Sequence, residues 1–362
     1  MYAARRARNL PRHALIAALV GRRRSEFPDA SFYLPLDYPT SSCNSPRWGH
    51  GRPNHPFIEP LLAAHADTYR DVLALLPQYG QDLAAIDRAP RPDSEPYWDN
   101  GFWATSGLDA AAIYCLLRSR QPRRYLELGS GQSTKFAARA KRDGGLDTKI
   151  ISIDPEPRED IDAICDLVLR RPVESAPLSY FEQLEPGDVV FLDGSHRLFM
   201  NNDVSTFYLD VLPRLVPGVL VGVHDIYLPE DYGPETVNRY YTEAYMLAAM
   251  LLAGPDRIRP VLASHWVCLR PDLSKLLDET WASIGLGGIS AYGSAFWFEP
   301  HLQSPETTLG QLGGGVQDHL RRGLAATARS GHMSAAMDSV EGGTAPGKFG
   351  LEMSVDVVEI IL

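Results

Sequence analysis

Arg-Tyr-Leu-Glu-Leu-Gly-Ser-Gly-Gln-Ser-Thr, residues 124–134, is the stretch that decides the fold. The apolar run 125–128 predicts a buried strand, and an alanine-rich helical pattern follows near 132–142. Glycine lets the backbone approach a ligand closely, and a helix N-terminus offers unpaired N–H groups. A strand that passes through a Gly-rich turn into a helix therefore predicts a nucleotide site.

Two details of this turn narrow the ligand. Gly129-Ser130-Gly131 lacks the third glycine of the dinucleotide fingerprint. Glu127 lies at the strand end, where a carboxylate repels a phosphate but suits a ligand with positive charge and hydroxyls. S-adenosylmethionine (SAM) carries an ammonium, a sulfonium and a ribose. We therefore expect SAM, held by Glu127 and by the residues from Gly129 to Ser133.

Strands and helices alternate along the rest of the chain. Strands are predicted at 124–128, 149–153, 167–170, 188–192, 219–223, 258–263, 265–269 and 294–298. Helices are predicted within 57–77, from Thr105, Ser106 and Asp109 as capping residues to Arg118, and near 132–142, 159–165, 203–214, 235–252 and 272–283. This alternation predicts an α/β fold with a mostly parallel sheet and helices on both faces. In such sheets, ligands bind beyond the C-terminal ends of the strands.

Asp154 ends the second predicted strand, about 20 residues beyond the glycines, which is where a carboxylate binds ribose hydroxyls. Its alternative role is a helix N-cap before Pro155. The glycine turn favours the ribose interpretation.

Two further strand ends bring charged side chains and imidazoles to the same edge. Asp193 and His196 follow the fourth strand of the nucleotide-binding half, and His224 and Asp225 follow the fifth. Carboxylates and imidazoles beside a cofactor suit a divalent ion, which could acidify a substrate hydroxyl. The imidazoles could instead act as general base or position the substrate without a metal. A third possibility is that these groups only satisfy the loops and one another.

Composition bounds the class of protein. The 362 residues carry a net charge of -10, with 44% hydrophobic and 22% charged residues, as in a globular protein without a basic nucleic-acid face. The four cysteines are scattered, which predicts reduced thiols and a cytoplasmic protein. No run is long enough for a membrane span. Residues 1–24 carry seven arginines without a cleavage site, which excludes a signal peptide. The pattern favours an N-terminal helix that is frayed or packs against another subunit, and the alternative is a basic amphipathic helix on a membrane surface or a partner.

Three regions are predicted. Residues 1–56 form the basic helix and an aromatic loop or lid, and 57–300 form the ligand-binding domain. Residues 301–362 form a Gly/Ala/Ser-rich tail whose apolar end, 350–362, is expected to pair with something. The aromatic residues within 97–103 either wall the pocket or pack in the core.

From Asn100 to Phe298 the chain resembles the bacterial class I SAM-dependent methyltransferases of the methyltransferase-24 type. The ordered series of matching stretches comprises 125–134, 153–157, 187–196 (Gly-Asp-Val-Val-Phe-Leu-Asp-Gly-Ser-His), 212–221, 224–226 (His-Asp-Ile), the weaker 243–245 and 293–297. The resemblance implies a Rossmann-like seven-stranded sheet with the last strand antiparallel.

The resemblance also implies roles for individual residues. It places Glu127, Gly129, Gly131 and Ser133 at the methionine end of SAM and Asp154 at the ribose. Asp193, which we also count among the SAM-binding residues, and His224-Asp225 lie where catechol-methyltransferase-like relatives hold Mg²⁺. Those relatives typically carry Asp-Asn at the fifth strand, whereas this chain carries His-Asp. The stretches 197–203 and 227–234, on the substrate side, also differ from the sequence that is typical of the family.

The sequence thus predicts an enzyme that transfers a methyl group from SAM to a hydroxyl of a small molecule, such as a natural product or a sugar. Asp193, His196 and His224 are the predicted catalytic residues, and Asp193, His224 and Asp225 are the predicted ligands of Mg²⁺ or another divalent ion. A homo-oligomer is compatible with the sequence, and no nucleic-acid partner is expected. Two alternatives remain open. One is a hydroxylase-like relative that uses His196, His224 and Asp193 or Asp225 for iron, and the other is a non-catalytic SAM-binding module.

Overall fold

One seven-stranded sheet organises the fold, as seen in a computed structural model that describes residues 45–90, 95–99, 106–237 and 239–301. All of these residues lie within one compact unit, Asn44–Ser339. The strands are β1 (Arg124–Leu128), β2 (Lys149–Ile153), β3 (Leu167–Leu169), β4 (Val189–Leu192), β5 (Leu220–Val223), β6 (Ile258–Ala263) and β7 (Phe296–Pro300).

The strand order is β3-β2-β1-β4-β5-β7-β6. Neighbours from β3 to β5 pair in parallel, whereas β7 runs antiparallel to both β5 and β6. The predicted seven-stranded, Rossmann-like sheet with an antiparallel last strand is therefore confirmed. β1 and β4 lie side by side at the centre, so the turn after β1 and the loop after β4 emerge together.

Helices surround this sheet. They are α1 (Ile58–Ala63), α2 (Ala66–Leu73), α3 (Leu75–Gln78), α4 (Gly80–Ala84), α5 (Gly107–Arg120), α6 (Gln132–Gly144), α7 (Ser179–Glu182), α8 (Asp203–Thr206), α9 (Pro234–Val237), α10 (Glu243–Ala253), α11 (Ser264–Leu269) and α12 (Pro271–Ser283). A π-helical turn, Phe207–Val211, and a 3₁₀ turn, Leu212–Arg214, continue α8. Further 3₁₀ turns are Asp162–Ile164, Val173–Ser175 and Pro255–Arg257.

Three sequence predictions about secondary structure were wrong, the first being the helix near 159–165, where only the 3₁₀ turn Asp162–Ile164 forms. The run 265–269 is helical rather than extended, because β6 has already ended at Ala263 and α11 buries Trp266 and Val267. A short apolar run does not distinguish a buried helix from a strand. The single helix expected at 235–252 is two helices, α9 and α10.

The start of α5 also differs from its prediction. Ser106 occupies the N-cap position, but its side chain makes no capping hydrogen bond. Asp109, which was expected to cap the same helix, is instead fully buried and reaches the segment before β7. A residue that looks like a local helix signal thus makes a long-range contact.

Several predictions fall outside the described residues. The basic helix at 1–24, residues 25–44 of the loop at 25–56 and the tail beyond His301 lie there, so the three predicted regions stay predictions. Among the described residues no helix has the length and apolar character required to cross a bilayer. The cytoplasmic location stays a prediction as well.

Candidate functional site

Gly129 joins the turn after β1 to the loop after β4. Its φ is +80°, in the left-handed region that favours glycine, and a Cβ there would overlap the backbone oxygen of Asp193. The Asp193 N–H donates to the carbonyl of Leu128 at 2.9 Å. The glycine at this position therefore lets two strand-end loops meet, which brings Asp193 against the predicted SAM turn.

Gly131 has a different environment. Its backbone is extended, with φ 177°, and a Cβ added at this position would have Glu159 Cγ as its nearest neighbour, at 3.8 Å. The next residue, Gln132, opens α6 with a buried side-chain amide that has no hydrogen-bond partner among the described residues. Open space beside a helix N-terminus and an unsatisfied buried amide both fit a polar ligand at this turn.

Glu127 is fully buried at the end of β1. It accepts hydrogen bonds from the Tyr125 hydroxyl at 2.9 Å and from the Thr134 hydroxyl. Burial raises the pKa of Glu127 to about 8, although hydroxyl donors, with Ser133 foremost, oppose that rise. The carboxyl group thus fixes the start of α6 against β1, and its contact with SAM stays a prediction.

Asp154 connects the loops after β1 and β2. One carboxylate oxygen accepts from the Ser130 N–H at 2.7 Å, and the other accepts from the Glu156 N–H at 2.8 Å. No helix begins directly after it, since the next one is the 3₁₀ turn Asp162–Ile164. A carboxylate offers about four lone-pair sites, so two N–H donors leave capacity for ribose hydroxyls.

His196 lies at the centre of the second half of the site. Its Nε2 is 3.3 Å from an Asp193 oxygen and 3.6 Å from an Asp225 oxygen, and its Nδ1 is 3.2 Å from Glu243 Oε2. Burial would lower the pKa of His196, but hydrogen bonds to Asp193 and Glu243 raise it well above its ordinary value. The imidazole is therefore enclosed by three carboxylates.

His224 completes the same cluster from the end of β5. Its Nδ1 is 3.3 Å from Asp193 Oδ1, and its Nε2 is 3.4 Å from Asp109 Oδ2. Burial would lower the pKa of His224, but the charges of Asp193 and Asp225 raise it well above the ordinary range. Burial alone would likewise raise the pKa of Asp193, yet His224 and His196 hold it far below its usual range.

Asp225 is anchored more firmly than Asp193. One of its oxygens accepts from the Tyr227 hydroxyl at 3.1 Å and from the Ser294 hydroxyl at 3.2 Å. The Asp225 side chain is 8% exposed, whereas that of Asp193 is 18% exposed. Asp193 is therefore the carboxylate of this pair that is more accessible to an acceptor.

The structure brings a metal-binding combination together. One ligand atom each from Asp193, His196 and His224 lies within 4.8 Å of the others. This group differs from the ligand set predicted for Mg²⁺, because it contains His196 in place of Asp225, and it consists of residues named for the iron alternative. Two imidazoles and a carboxylate fit a divalent transition ion better than Mg²⁺, which prefers oxygen ligands.

Sequence reasoning missed two buried acids in this cluster. Asp109 comes from α5 and accepts from the N–H groups of Ser294 and Ala295 at 2.6 and 3.0 Å. Glu243 comes from the first turn of α10. Both are fully buried. Asp109 was predicted as a helix cap, and Glu243 lay inside a predicted helix and in the weakly matching stretch 243–245, and none of these signals reveals a partner so distant in the chain.

The loop 227–234 contacts the segment that precedes α1. The Asp231 N–H donates to the Trp48 carbonyl at 3.1 Å, and the His55 N–H donates to the Pro229 carbonyl at 3.0 Å. Of the aromatic residues at 97–103, Trp98 is buried against Phe136, with ring centroids 5.1 Å apart. Trp98 therefore packs in the core, whereas Phe102 and Trp103 lie outside the described residues.

Comparison with known proteins gives one family match. Residues 126–226 match the family described as a methyltransferase domain. None of the curated proteins compared with the chain matches it.

Solved structures with some likeness include methyltransferases from several organisms. An O-methyltransferase from Bacillus cereus in complex with SAH is 16% identical, over 65% of this chain and 90% of that chain, with a TM-score of 0.33. The O-methyltransferase TomG from Streptomyces achromogenes, in complex with SAM, is 15% identical, over 67% and 96%, with a TM-score of 0.34. A SAH-bound methyltransferase from Podospora anserina is 17% identical, over 64% and 93%, with a TM-score of 0.32.

The family match covers the stretch from β1 to the end of β5, which carries the glycine turn, Asp154, Asp193 and His224. Over residues 126–226 the chain is therefore similar to methyltransferase domains.

Proposed function

We propose that the protein transfers a methyl group from SAM to a hydroxyl of a small molecule. The observation that carries this proposal is the direct junction of the two halves of the site. Asp193, from the cluster after β4, packs against Gly129 and bonds to Leu128 at 2.9 Å. A donor held in the turn after β1 would therefore lie beside the polar cluster.

On the side of the methyl donor, the turn after β1 offers polar groups to SAM. The α6 N-terminus and the open side of Gly131 face the position of a polar ligand, and Gln132 offers an amide without a partner among the described residues. Asp154 is fixed by two backbone N–H groups, so it presents its remaining lone pairs in one orientation. SAM, when bound, supplies a methyl group that is already activated by the sulfonium.

On the acceptor side, catalysis is mainly alignment. Fixing a nucleophilic oxygen in line with the reacting bond is worth several kcal/mol, up to about 7–11 in the best cases. Asp193 can accept the hydrogen bond of an acceptor hydroxyl, and His196 and His224 place positive charge where negative charge develops on oxygen. Removing the proton would add roughly 10²–10⁴-fold.

We further propose that a divalent transition ion assists. Asp193, His196 and His224 would hold it, since their ligand atoms lie together. An ion held by these residues would supply Lewis acidity that lowers the pKa of an acceptor hydroxyl. Because imidazole must be deprotonated to bind a metal, loading is expected to release protons.

A second candidate function has one observation in its favour. Two imidazoles and one carboxylate on one face are also the ligand set of non-haem iron oxygenases. A hydroxylase would consume O₂ and would show no dependence on SAM, whereas a methyltransferase produces S-adenosylhomocysteine from SAM.

Calorimetric titration of the full chain with SAM and with S-adenosylhomocysteine tests the proposal. We expect saturable binding of both, and we expect Asp154→Ala to weaken it at least about tenfold, which is 1.4 kcal/mol. The control is Asp160→Ala, an exposed aspartate six positions further along the same loop. Absence of binding in the wild-type protein would refute the methyltransferase proposal.

Turnover with methyl-labelled SAM and a panel of hydroxylated acceptors, with and without a chelator, tests the metal. We expect the chelator to reduce turnover and Mn²⁺ or Zn²⁺ to restore it. Turnover that the chelator leaves unchanged would remove the metal from the mechanism and leave the two imidazoles with Asp193 as the catalytic groups.

A further inference from the structure

A three-residue segment before and at the start of α10, Tyr241–Glu243, encloses His196. The N–H groups of Thr242 and Glu243 both donate to the carbonyl of His196, at 2.9 and 3.2 Å. The Tyr241 ring lies against the imidazole, with centroids 4.7 Å apart. The segment therefore contacts His196 through its backbone and through its ring.

The side chain of Glu243 adds the contact that orients the ring. Its Oε2 is 3.2 Å from His196 Nδ1, which is the nitrogen that faces away from Asp193. Glu243 is fully buried, and its Oε1 has no hydrogen-bond partner in the described part of the chain. Burying a carboxyl group costs free energy unless the group is hydrogen-bonded or paired with an opposite charge. For Glu243 that partner is His196.

The backbone of His196 explains why such a constraint is needed. Its φ is +59°, which is unusual for a residue with a side chain and persists only when the surroundings fix it. The adjacent Leu198 N–H donates to the Thr242 hydroxyl at 2.7 Å, so the loop after His196 is held by the same segment. Because Thr242 and Glu243 lie at the N-terminus of α10, their N–H groups have no partner within the helix and are available to His196.

We propose that Glu243 is a positioning residue that holds His196 Nδ1 and thereby directs His196 Nε2 toward Asp193 and the acceptor. This inference rests on the proposed function for its catalytic consequence, but the orientation of the ring is a property of the resting protein. A carboxylate that fixes the other nitrogen of a catalytic or metal-binding imidazole typically affects activity or metal affinity by about 10–100-fold. Glu243 itself touches neither donor nor acceptor in this account.

Histidine-labelled protein in ¹⁵N NMR tests the orientation directly, with the His196 signals assigned from a His196→Gln sample. In the wild-type protein we expect the Nδ1 of His196 to be protonated. Glu243→Gln, whose amide oxygen can still accept, should keep that signature, and Glu243→Ala should lose it. If Glu243→Ala does not fold, the proposal is overturned by a wild-type or Glu243→Gln spectrum in which His196 Nδ1 carries no proton.

Kinetics then test the consequence. We expect Glu243→Ala to lower kcat by about 10–100-fold, with a smaller loss in Glu243→Gln and little change in the KM for SAM. The control is Glu299→Gln on β7, which removes the carboxylate that pairs with Arg120. It should leave kcat unchanged. Unchanged kcat in Glu243→Ala would overturn the catalytic part of the proposal. If no methyl transfer is found at all, the proposed function fails, while the NMR result still decides the role of Glu243.

Discussion

The two halves of the site differ in how their polar groups are satisfied. In the turn after β1, Glu127 and Asp154 bond to hydroxyls and backbone N–H groups of residues that lie close in the chain or on the adjacent strand. In the cluster after β4 and β5, carboxylates and imidazoles face one another at 3.2–3.6 Å. We call the turn after β1 the shape-holding half, because its hydrogen bonds fix the positions of Glu127 and Asp154. We call the cluster after β4 and β5 the charge-storing half, because its carboxylates and imidazoles contact one another there.

The largest expected effect separates the two halves by reaction rate. Asp193→Asn keeps the shape of the side chain but removes the charge between two imidazoles. We expect turnover to fall by about 10²–10⁴-fold, while SAM affinity changes far less than in Asp154→Ala. Labelled-SAM turnover and calorimetry measure the two quantities, and Asp210→Asn, an exposed aspartate, is the control. Equal losses of SAM affinity in Asp193→Asn and Asp154→Ala would show that both halves bind the donor.

The second prediction concerns stability in the charge-storing half. Asp109→Ala leaves two buried N–H groups and His224 without their acceptor. Because removing one partner of a buried charged contact costs about 3–5 kcal/mol, we expect a clear drop in the free energy of unfolding. Urea denaturation measures it. A loss below about 1 kcal/mol, typical of an exposed ion pair, would show that Asp109 is not essential to the cluster.

The third prediction compares two neighbouring glycines of the shape-holding half. Gly129→Ala forces a side chain into a left-handed backbone, at a cost of about 1–2 kcal/mol before its overlap with Asp193 is counted. Gly131→Ala meets no such barrier, since its backbone is extended and its surroundings are open. We expect the first variant to lower Tm, and the second to keep Tm but weaken SAM binding. A Gly131→Ala protein with wild-type affinity would place the donor elsewhere.

The last prediction is a pH dependence of stability. Glu127 has a pKa of about 8 in the folded chain against an ordinary value of 4.5. Its stabilising contribution is therefore fully present below pH 4.5 and is lost as the pH rises to about 8. Glu243, with a pKa raised to about 7 by burial, acts in the same direction.

We expect Glu127→Gln to flatten part of the fall in Tm between pH 5 and pH 8, as measured by scanning calorimetry. Glu279→Gln, an exposed residue on α12, should follow the wild-type profile. An identical slope in Glu127→Gln would mean that Glu127 ionises normally in the folded chain.

The contrast between the halves also explains what the sequence could predict. β1, β2 and their turns follow from local patterns, because apolar runs, glycines and a strand-end acid lie within 124–154. Strand alternation then placed Asp193, His196, His224 and Asp225 at one edge. Asp109 and Glu243 could not be found in this way, because their partners lie 185 and 47 positions away along the chain.

The predicted helix boundaries were wrong because local patterns do not reveal contacts with residues distant in the chain. α10 begins at Glu243, and the N–H groups of Thr242 and Glu243 at its start donate to the carbonyl of His196. The apolar periodicity of 235–252 does not reveal a helix start at this position. The apolar run 265–269 lies in a helix that begins directly after β6 and buries Trp266 and Val267, and its apolar residues alone do not distinguish that helix from a strand.

Hydrogen exchange of the full chain, with and without S-adenosylhomocysteine, shows whether the ligand binds at the C-terminal edge of the sheet. We expect slower exchange at 128–134 and 154–156, where the turn after β1 meets Asp154, and a smaller change at 193–197. We expect no change at 121–124 and 145–149, at the opposite ends of the same two strands. Protection confined to those opposite ends, or no protection anywhere, would contradict a SAM site at the C-terminal edge of the sheet.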